Sequence, residues 1–150
     1  GAVSGYPDAT FKPENKITRA EFAAILVKAF GLEGKDGKIF TDTAGHWAQN
    51  YIAAAVAGGV ASGYDADTFG PDNLITREQM AVLITKAAKL SPVAGEVLYG
   101  DSGSISDWAK EAVATATENG IMKGYPDNTF QPQGSATRAE AVTVIVNAIK

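Results

Sequence analysis

A nine-residue pattern, Gly-Tyr-x-x-x-Thr-Phe-x-Pro, occurs three times in this chain, and an internal repeat constrains the fold more than any other feature does. The copies begin at Gly5, Gly63 and Gly124, and a Thr-Arg pair follows each copy, with its arginine 14 positions after that glycine. The repeated arginines are Arg19, Arg77 and Arg138. Because each unit of a repeat protein buries its apolar face on its neighbours, the pattern predicts one domain made of similar units.

A tryptophan-bearing element precedes the second and third copies of the pattern. It runs from Phe40-Thr41-Asp42 to Trp47 in one case and from Tyr99-Gly100-Asp101 to Trp108 in the other, and each Trp stands 16 positions before the Gly-Tyr pair. The first copy has no counterpart of this element in the sequence. We therefore predict a single domain over residues 1–150 with units at 1–34 (incomplete at its N-terminus), 35–95 and 96–150.

The residues around each repeated arginine predict the start of a helix. A threonine precedes each arginine and a Glu or Gln stands three residues after that threonine, which is the capping box: the hydroxyl accepts from the N3 amide and the N3 side chain reaches back. The three pairs are Thr18 with Glu21, Thr76 with Gln79, and Thr137 with Glu140.

Apolar residues at helical spacing follow each capping box and predict three buried helix faces. The faces are Phe22, Ile25, Leu26, Ala29 and Phe30; Met80, Leu83, Ile84, Ala87 and Ala88; and Ala141, Val144, Ile145, Ala148 and Ile149. The Trp segments predict two further helices, at about 45–58 and 106–119, with Gly59 and Gly120 as C-terminal stops. The chain is thus predicted to be all-α, with helix-loop-helix units joined by loops rich in Gly, Pro and Asp.

Each predicted loop has one position that we expect to adopt a left-handed backbone. Ala9, Asp67 and Asn128 occupy it, and Asp and Asn tolerate positive φ better than most residues. The nearby Asp65-Ala66-Asp67 run is superficially similar to a calcium-binding loop. It lacks the Glu at the twelfth position, so we interpret it as a turn and predict no metal site.

Composition excludes several classes of function. The net charge of −4 disfavours a general nucleic-acid binder, and the absence of cysteine excludes disulfides and thiol nucleophiles. No apolar run approaches the roughly 20 residues of a membrane span. The single histidine, His46, has no evident nucleophile to activate. We therefore expect neither catalysis nor a cofactor in this chain.

The repeated arginines stand at the first position of their helices, where a cation opposes the helix dipole at a cost of about 0.3–1 kcal/mol when exposed. Two explanations are open from the residues alone. Each arginine forms a structural ion pair with a carboxylate of a neighbouring unit, or it joins free helix amides in a pocket for an anion. The two explanations are compatible with each other.

The loops, the helix starts and the Trp segments together resemble the S-layer homology (SLH) domain family over nearly the whole chain. The matching residues include Gly124-Tyr125-Pro126-Asp127, Ile17-Thr18-Arg19-Ala20-Glu21 and His46-Trp47-Ala48. The resemblance implies a pseudo-threefold helical assembly on the outside of a bacterial cell, in the cell wall or S-layer. It also implies a ligand, a secondary cell-wall polysaccharide with pyruvylated N-acetylmannosamine or another glycan linked to peptidoglycan.

The resemblance also implies which residues bind the glycan. The ketal carboxylate is expected on Arg19, Arg77 and Arg138, which are the family's Thr-Arg arginines. Further candidates, each with a competing structural role, are Trp47 and Trp108 (sugar stacking or core), Asp42 and Asp101 (ligand or capping of the next helix), and Gly5, Gly63 and Gly124 (ligand amides or turns).

The incomplete first unit gives one structural expectation and one alternative function. Without a Trp-bearing helix of its own, this unit is expected to leave Phe22 and Phe30 uncovered, which invites self-association. The alternative to glycan binding is accordingly a protein–protein or self-assembly module of a surface layer.

Overall fold

The computed structural model describes residues 15–32, 39–92 and 99–149. This part of the chain contains five α-helices and one 3-10 turn at Ser102–Ser104. The helices are α1 (Arg19–Phe30), α2 (Gln49–Ala57), α3 (Arg77–Ala87), α4 (Asp107–Glu118) and α5 (Arg138–Ile149). The described residues form no β-strand beyond three isolated bridges, so the all-α prediction is confirmed there. In the same ranges no helix has both the length and the apolar character needed to cross a membrane.

All three predicted capping boxes are present at the starts of α1, α3 and α5. In α1, for example, the Glu21 amide donates to Thr18 Oγ1 at 3.0 Å and the Thr18 amide donates to Glu21 Oε1 at 2.9 Å. The same pair of bonds joins Thr76 with Gln79 and Thr137 with Glu140. The helices therefore begin where the sequence predicts.

The residue before each capping threonine connects the three units in a ring. The Ile17 amide donates to Ala136 O, the Ala136 amide to Ile75 O, and the Ile75 amide to Ile17 O, each at 3.0 Å. All three side chains are fully buried. A closed ring of equivalent bonds is the contact pattern that a threefold arrangement requires, and the pseudo-threefold symmetry itself stays a prediction.

The helix of each Trp segment packs on the helix that follows the capping box of the preceding unit: α2 packs on α1 and α4 on α3. Both are shorter than predicted, and α2 begins at Gln49, after Trp47, with no side-chain cap. Helix α4 begins earlier in its unit because buried Glu78 of α3 accepts from the Ser106 amide (2.9 Å) and hydroxyl (2.7 Å). The two glycines predicted as stops follow the ends of these helices with a left-handed backbone, Gly59 at φ 74° and Gly120 at φ 69°.

The expectation that the first unit leaves its apolar face uncovered is wrong. Phe22 is fully buried and Phe30 is half-buried against the core, because α2 of the second unit covers α1. Exposed apolar side chains occur on α5, where Val146 is 46% and Ile149 58% exposed, and also at Ile39, Leu74 and the two tryptophans. Ile149 therefore contradicts its predicted place in the core. Among the described helices, α5 contacts only α1 and α3.

The left-handed loop position is correct in one unit and wrong in another. Asn128 has φ 64°, but Asp67 does not have a positive φ, and Ala9 lies outside the described residues. The two loops differ because the second has its aspartate one position earlier. There the Asp65 carboxylate accepts from the amides of residues 67 and 68, both at 2.8 Å, and closes the turn by itself.

A left-handed backbone common to both described loops occurs three residues later, just before the proline of the repeated pattern. Gly70 has φ 73° and Gln131 has φ 55°. The sequence pattern leaves this position variable and gives no sign of its conformation.

Candidate functional site

Each repeated arginine lies at a seam, which we define as the contact between the helix start of one unit and the neighbouring unit that its arginine touches. Arg19 lies at the first seam, Arg77 at the second and Arg138 at the third. They are only 5%, 4% and 3% exposed, respectively. The arginines are thus buried between units and do not project from exposed helix ends.

At the second seam, the Arg77 guanidinium is fully engaged by the third unit. Nε donates to Phe130 O and Nη2 to Lys123 O, both at 2.7 Å, and Nη1 donates to the Glu140 carboxylate. The guanidinium also lies over the Tyr125 ring, 4.5 Å from its centroid, and Tyr125 Oη donates to the same Glu140 oxygen at 3.0 Å. Glu140 therefore uses Oε1 to cap its own helix and Oε2 to bind the arginine across the seam.

The third seam repeats this ion pair. Arg138 Nη1 donates to Glu21 Oε2 at 3.1 Å, and Glu21 Oε1 caps α1. The ion-pair explanation of the repeated arginines is therefore correct at two of the three seams.

The first seam differs because its arginine has no carboxylate partner. Arg19 Nε donates to Phe69 O at 3.1 Å and Nη2 to Ser62 O at 3.0 Å, and the guanidinium lies over the Phe69 and Tyr64 rings at 4.5 and 4.6 Å. Within the described ranges it forms no ion pair, because Gln79 stands where the other seams have Glu140 or Glu21. Burial lowers the pKa of Arg19, while Tyr64 and Asp42 act in the opposite direction.

The first and third amides of α1, α3 and α5, which the anion-pocket explanation needs free, have partners among the described residues. The amides of Arg19, Arg77 and Arg138 donate at 2.8–2.9 Å to carbonyls of neighbouring units, and the N3 amides donate to the capping threonines. An anion at a seam would therefore bind to side chains and not to the helix end.

A solvent-open groove of about 320 Å³ lies beside the first seam. It is lined by Asp42, Tyr64, Thr68, Gly70, Pro71, Asp72 and Asn73. Arg19 touches this wall from behind, because its guanidinium stacks on Tyr64 and its amide donates to Asn73 O at 2.8 Å. The Tyr64 ring is 51% exposed, so one aromatic side chain contacts both the buried cation and the groove.

Both tryptophans are exposed, Trp47 by 62% and Trp108 by 61%, so the core-packing alternative is wrong for them. Trp47 is held near the groove by its neighbour His46, whose ring lies 5.4 Å from the indole and whose Nε2 bonds Asp72 of the groove wall at 2.9 Å. Trp108 borders a second groove of about 320 Å³ between α3 and α4, together with Lys86 and Lys89.

Asp42 and Asp101 hold loops and do not cap the following helices. The Asp42 carboxylate accepts from the amides of Phe69 and Gly70, and Asp101 accepts from the corresponding amides of residues 130 and 131, at 2.8–3.2 Å. Desolvation raises the pKa of each aspartate, but the hydrogen bonds from backbone amides together outweigh it, so both pKa values are lowered. Their predicted contact with ligand stays a prediction.

The repeated glycines serve close packing in the described loops. A Cβ on Gly63 would lie 2.6 Å from Thr68 O, and one on Gly124 would lie 2.9 Å from Thr129 O and still closer to the Tyr99 ring. Turn geometry thus accounts for both glycines, a ligand role stays a prediction, and Gly5 lies outside the described residues.

Two kinds of residue at the seams were not identified as site residues from the sequence. Tyr64 and Tyr125 are the tyrosines of the repeated pattern, and each stacks under an arginine of the preceding unit. Gln79 was identified only as a capping residue. The signal that marks it is the series Glu, Gln, Glu at the third helical position of the three units.

These features define a class: a helical repeat domain whose units are joined by buried arginines, with exposed aromatic rings beside open grooves. The profile of the S-layer homology domain matches residues 1–23, 39–81 and 98–142, which is more than half of the chain. The chain belongs to the S-layer homology domain family.

Its relatives include surface proteins and enzymes of bacteria. A cellulosome-anchoring protein of Acetivibrio thermocellus is 38% identical across 99% of this chain, which covers 35% of that protein. The exoglucanase XynX of the same species is 36% identical (99% of this chain, 14% of that enzyme), and an S-layer protein of Bacillus thuringiensis subsp. finitimus is 34% identical (100% and 19%). The chain thus spans about a third or less of these relatives.

Because this one domain recurs in anchoring, S-layer and enzyme proteins, it corresponds to a module that they share. The family and these relatives support a role in anchoring at the bacterial cell surface, and they agree with the expected location in the cell wall or S-layer.

Proposed function

We propose that this domain is a non-catalytic anchor that binds an anionic secondary cell-wall polysaccharide, through a carboxylate of the glycan such as that of a pyruvate ketal. The observation that carries the proposal is Arg19, a buried guanidinium without a carboxylate partner behind a solvent-open groove. Nε and Nη2 of Arg19 donate to backbone carbonyls, so a carboxylate of the glycan would accept from Nη1. A guanidinium suits this role because it is less strongly hydrated than an ammonium group, and a hydrogen bond between charged groups is stronger than one between neutral groups.

The groove beside the first seam also suits the sugar part of such a ligand. Tyr64 and Trp47 present exposed aromatic faces, and the apolar face of a pyranose ring stacks on flat surfaces of this kind. Asn73, Asp72 and Thr68 add polar groups that can bond sugar hydroxyls. Because the groove wall carries the carboxylates of Asp42 and Asp72, Arg19 behind it is the group that would favour an acidic sugar over a neutral one.

The test is sedimentation of the purified domain with cell walls before and after mild acid removal of pyruvate ketals. We expect binding to intact walls and a loss of most binding after treatment. A neutral wall polysaccharide serves as the control for nonspecific adsorption. Equal binding to both wall preparations would contradict the carboxylate mechanism.

The second candidate is self-assembly, and the exposed Val146 and Ile149 on α5 favour it. Apolar side chains on one helix face are a typical contact surface between protein copies. Sedimentation velocity of the domain over a range of concentrations tests it. A monomer at all concentrations would remove this candidate, and a dimer abolished by Val146→Ser and Ile149→Ser would support it.

A further inference from the structure

The residue at the third helical position (N3) distinguishes the first seam from the other two. At the second and third seams the N3 residue is a glutamate, whose Oε1 caps its helix and whose Oε2 accepts from the arginine of another unit. At the first seam the N3 residue is Gln79, whose Oε1 also caps its helix. The atom in place of Oε2 is therefore an amide nitrogen, which donates and cannot accept from a guanidinium.

The first seam consequently has two donors without acceptors. Among the described residues, neither Nη1 of Arg19 nor Nε2 of Gln79 has a hydrogen-bond partner. The tyrosine at this seam differs as well. Tyr125 is half-buried and donates to Glu140, whereas Tyr64 is 51% exposed and its hydroxyl has only a long contact, 3.5 Å, with Asn73 Nδ2.

We infer that the domain has one carboxylate receptor and not three, at the first seam, and that Gln79 is the residue that determines this specificity by leaving Arg19 without a carboxylate of its own. The inference rests on the proposed function. At the other two seams, Glu140 and Glu21 occupy the place that the carboxylate of the glycan takes at the first.

A buried cation makes this assignment physically reasonable. Desolvation of a charge is unfavourable unless a counter-ion and hydrogen bonds compensate it. Arg19 has two carbonyls and two aromatic rings. Asp42 forms no ion pair with it within the described ranges, and the Asp42 carboxylate already accepts from the amides of Phe69 and Gly70. A carboxylate that arrives from the groove would supply the compensation that Glu140 supplies to Arg77.

The decisive variant is Gln79→Glu, which keeps the capping oxygen and nearly the same shape and places a carboxylate at the first seam. Direct substitution of Arg19 is less informative, because its Nε and Nη2 hold the loop of the second unit. Gln133→Glu is the control for binding, since it adds the same charge at an exposed position on a loop of the third unit, where the side-chain amide donates to Ser104 O at 2.8 Å.

The probe is a pyruvylated N-acetylmannosamine glycoside, with the unpyruvylated glycoside as its neutral counterpart, titrated by calorimetry. We expect Gln79→Glu to weaken binding at least about tenfold, which is the effect of losing one charge-assisted contact, while Gln133→Glu stays within about twofold of the wild type. An affinity of Gln79→Glu within about twofold of the wild type overturns the inference. Circular dichroism verifies that the variant is folded.

Glu140→Gln is the complementary variant, because it gives the second seam the atoms of the first. We expect the number of ligands bound per chain to rise from one towards two. An unchanged number overturns the claim that the Glu140 carboxylate takes the place of the glycan carboxylate at the second seam. If the wild type does not bind the pyruvylated probe at all, the proposed function itself fails. If the wild type binds it and Gln79→Glu binds as well, only this inference fails.

Discussion

The seam carboxylates predict opposite changes in stability for two isosteric substitutions. Glu140→Gln removes the acceptor of Arg77 Nη1 and of the Tyr125 hydroxyl but keeps the helix cap. Gln79→Glu does the reverse at the first seam, where it gives Arg19 an acceptor. The wild-type first seam thus shows the arrangement that Glu140→Gln would create.

The magnitude follows from the exposure of the pair. Breaking a fully buried ion pair costs about 3–5 kcal/mol, and an exposed pair contributes about 0–1 kcal/mol. The Arg77 side chain is 5% exposed and that of Glu140 23%. We therefore expect Glu140→Gln to lower the free energy of unfolding by about 1–3 kcal/mol. Gln79→Glu should raise the free energy of unfolding by about 1 kcal/mol, because the gain from a charge-assisted bond exceeds the cost of desolvating a half-buried carboxylate.

Urea unfolding followed by circular dichroism measures both changes. The variants share one fold, so their m-values should agree and the midpoints alone should move. A Gln79→Glu variant less stable than the wild type, or a Glu140→Gln variant of unchanged stability, would refute the reasoning about the seams. Gln79→Glu should thus be more stable than the wild type and bind the pyruvylated glycoside more weakly.

Three further predictions test other parts of the structure. The pKa values of Asp42 and Asp101 are lowered in the folded state, so their contribution to stability is complete above the unfolded pKa of about 3.9 and is lost as pH falls through the folded pKa values. In a double variant with Asn at both positions, the unfolding free energy should therefore depend less on pH below about pH 4. The same pH dependence as in the wild type would contradict this. Trp47→Ala and Trp108→Ala should each change the melting temperature by less than about 2 °C, because both indoles are exposed. Trp47→Ala should also weaken binding to cell walls. A large loss of stability would contradict the surface position of the two side chains. Gly124→Ala should destabilise by about 1–3 kcal/mol, since its Cβ would overlap the Tyr99 ring, and a neutral result in urea unfolding would show that the loop relaxes.

Local features of this fold could be predicted from the sequence because their partners lie within a few residues. The capping boxes join residues three apart, and the stops at Gly59 and Gly120 depend on one backbone angle each. The start of α2 could not be predicted in this way. It begins after Trp47, whereas α4 begins directly after Ser106, whose amide and hydroxyl donate to Glu78, a residue of another helix 28 positions away.

The candidate site was predicted by residue type but not by geometry. The repeat identifies Arg19 and Arg77 as equivalent, yet their partners lie 43 to 63 positions away in the chain, and only the fold shows that one arginine has a carboxylate and the other does not. The exposure of Trp47 and Trp108 could not be predicted either, since an indole beside an Ala-rich helix is equally typical of a core. In contrast, the difference between Gln79 and Glu140 is visible in the sequence, although its meaning depends on the contact across the seam.

The most direct test of carboxylate recognition is a calorimetric titration of the wild-type domain with the pyruvylated glycoside at two salt concentrations. The account predicts one ligand per chain, weaker binding at the higher salt concentration, and no measurable heat with the unpyruvylated glycoside. Three equivalent sites would contradict the role of Gln79, and equal binding of the two glycosides would contradict recognition of the carboxylate.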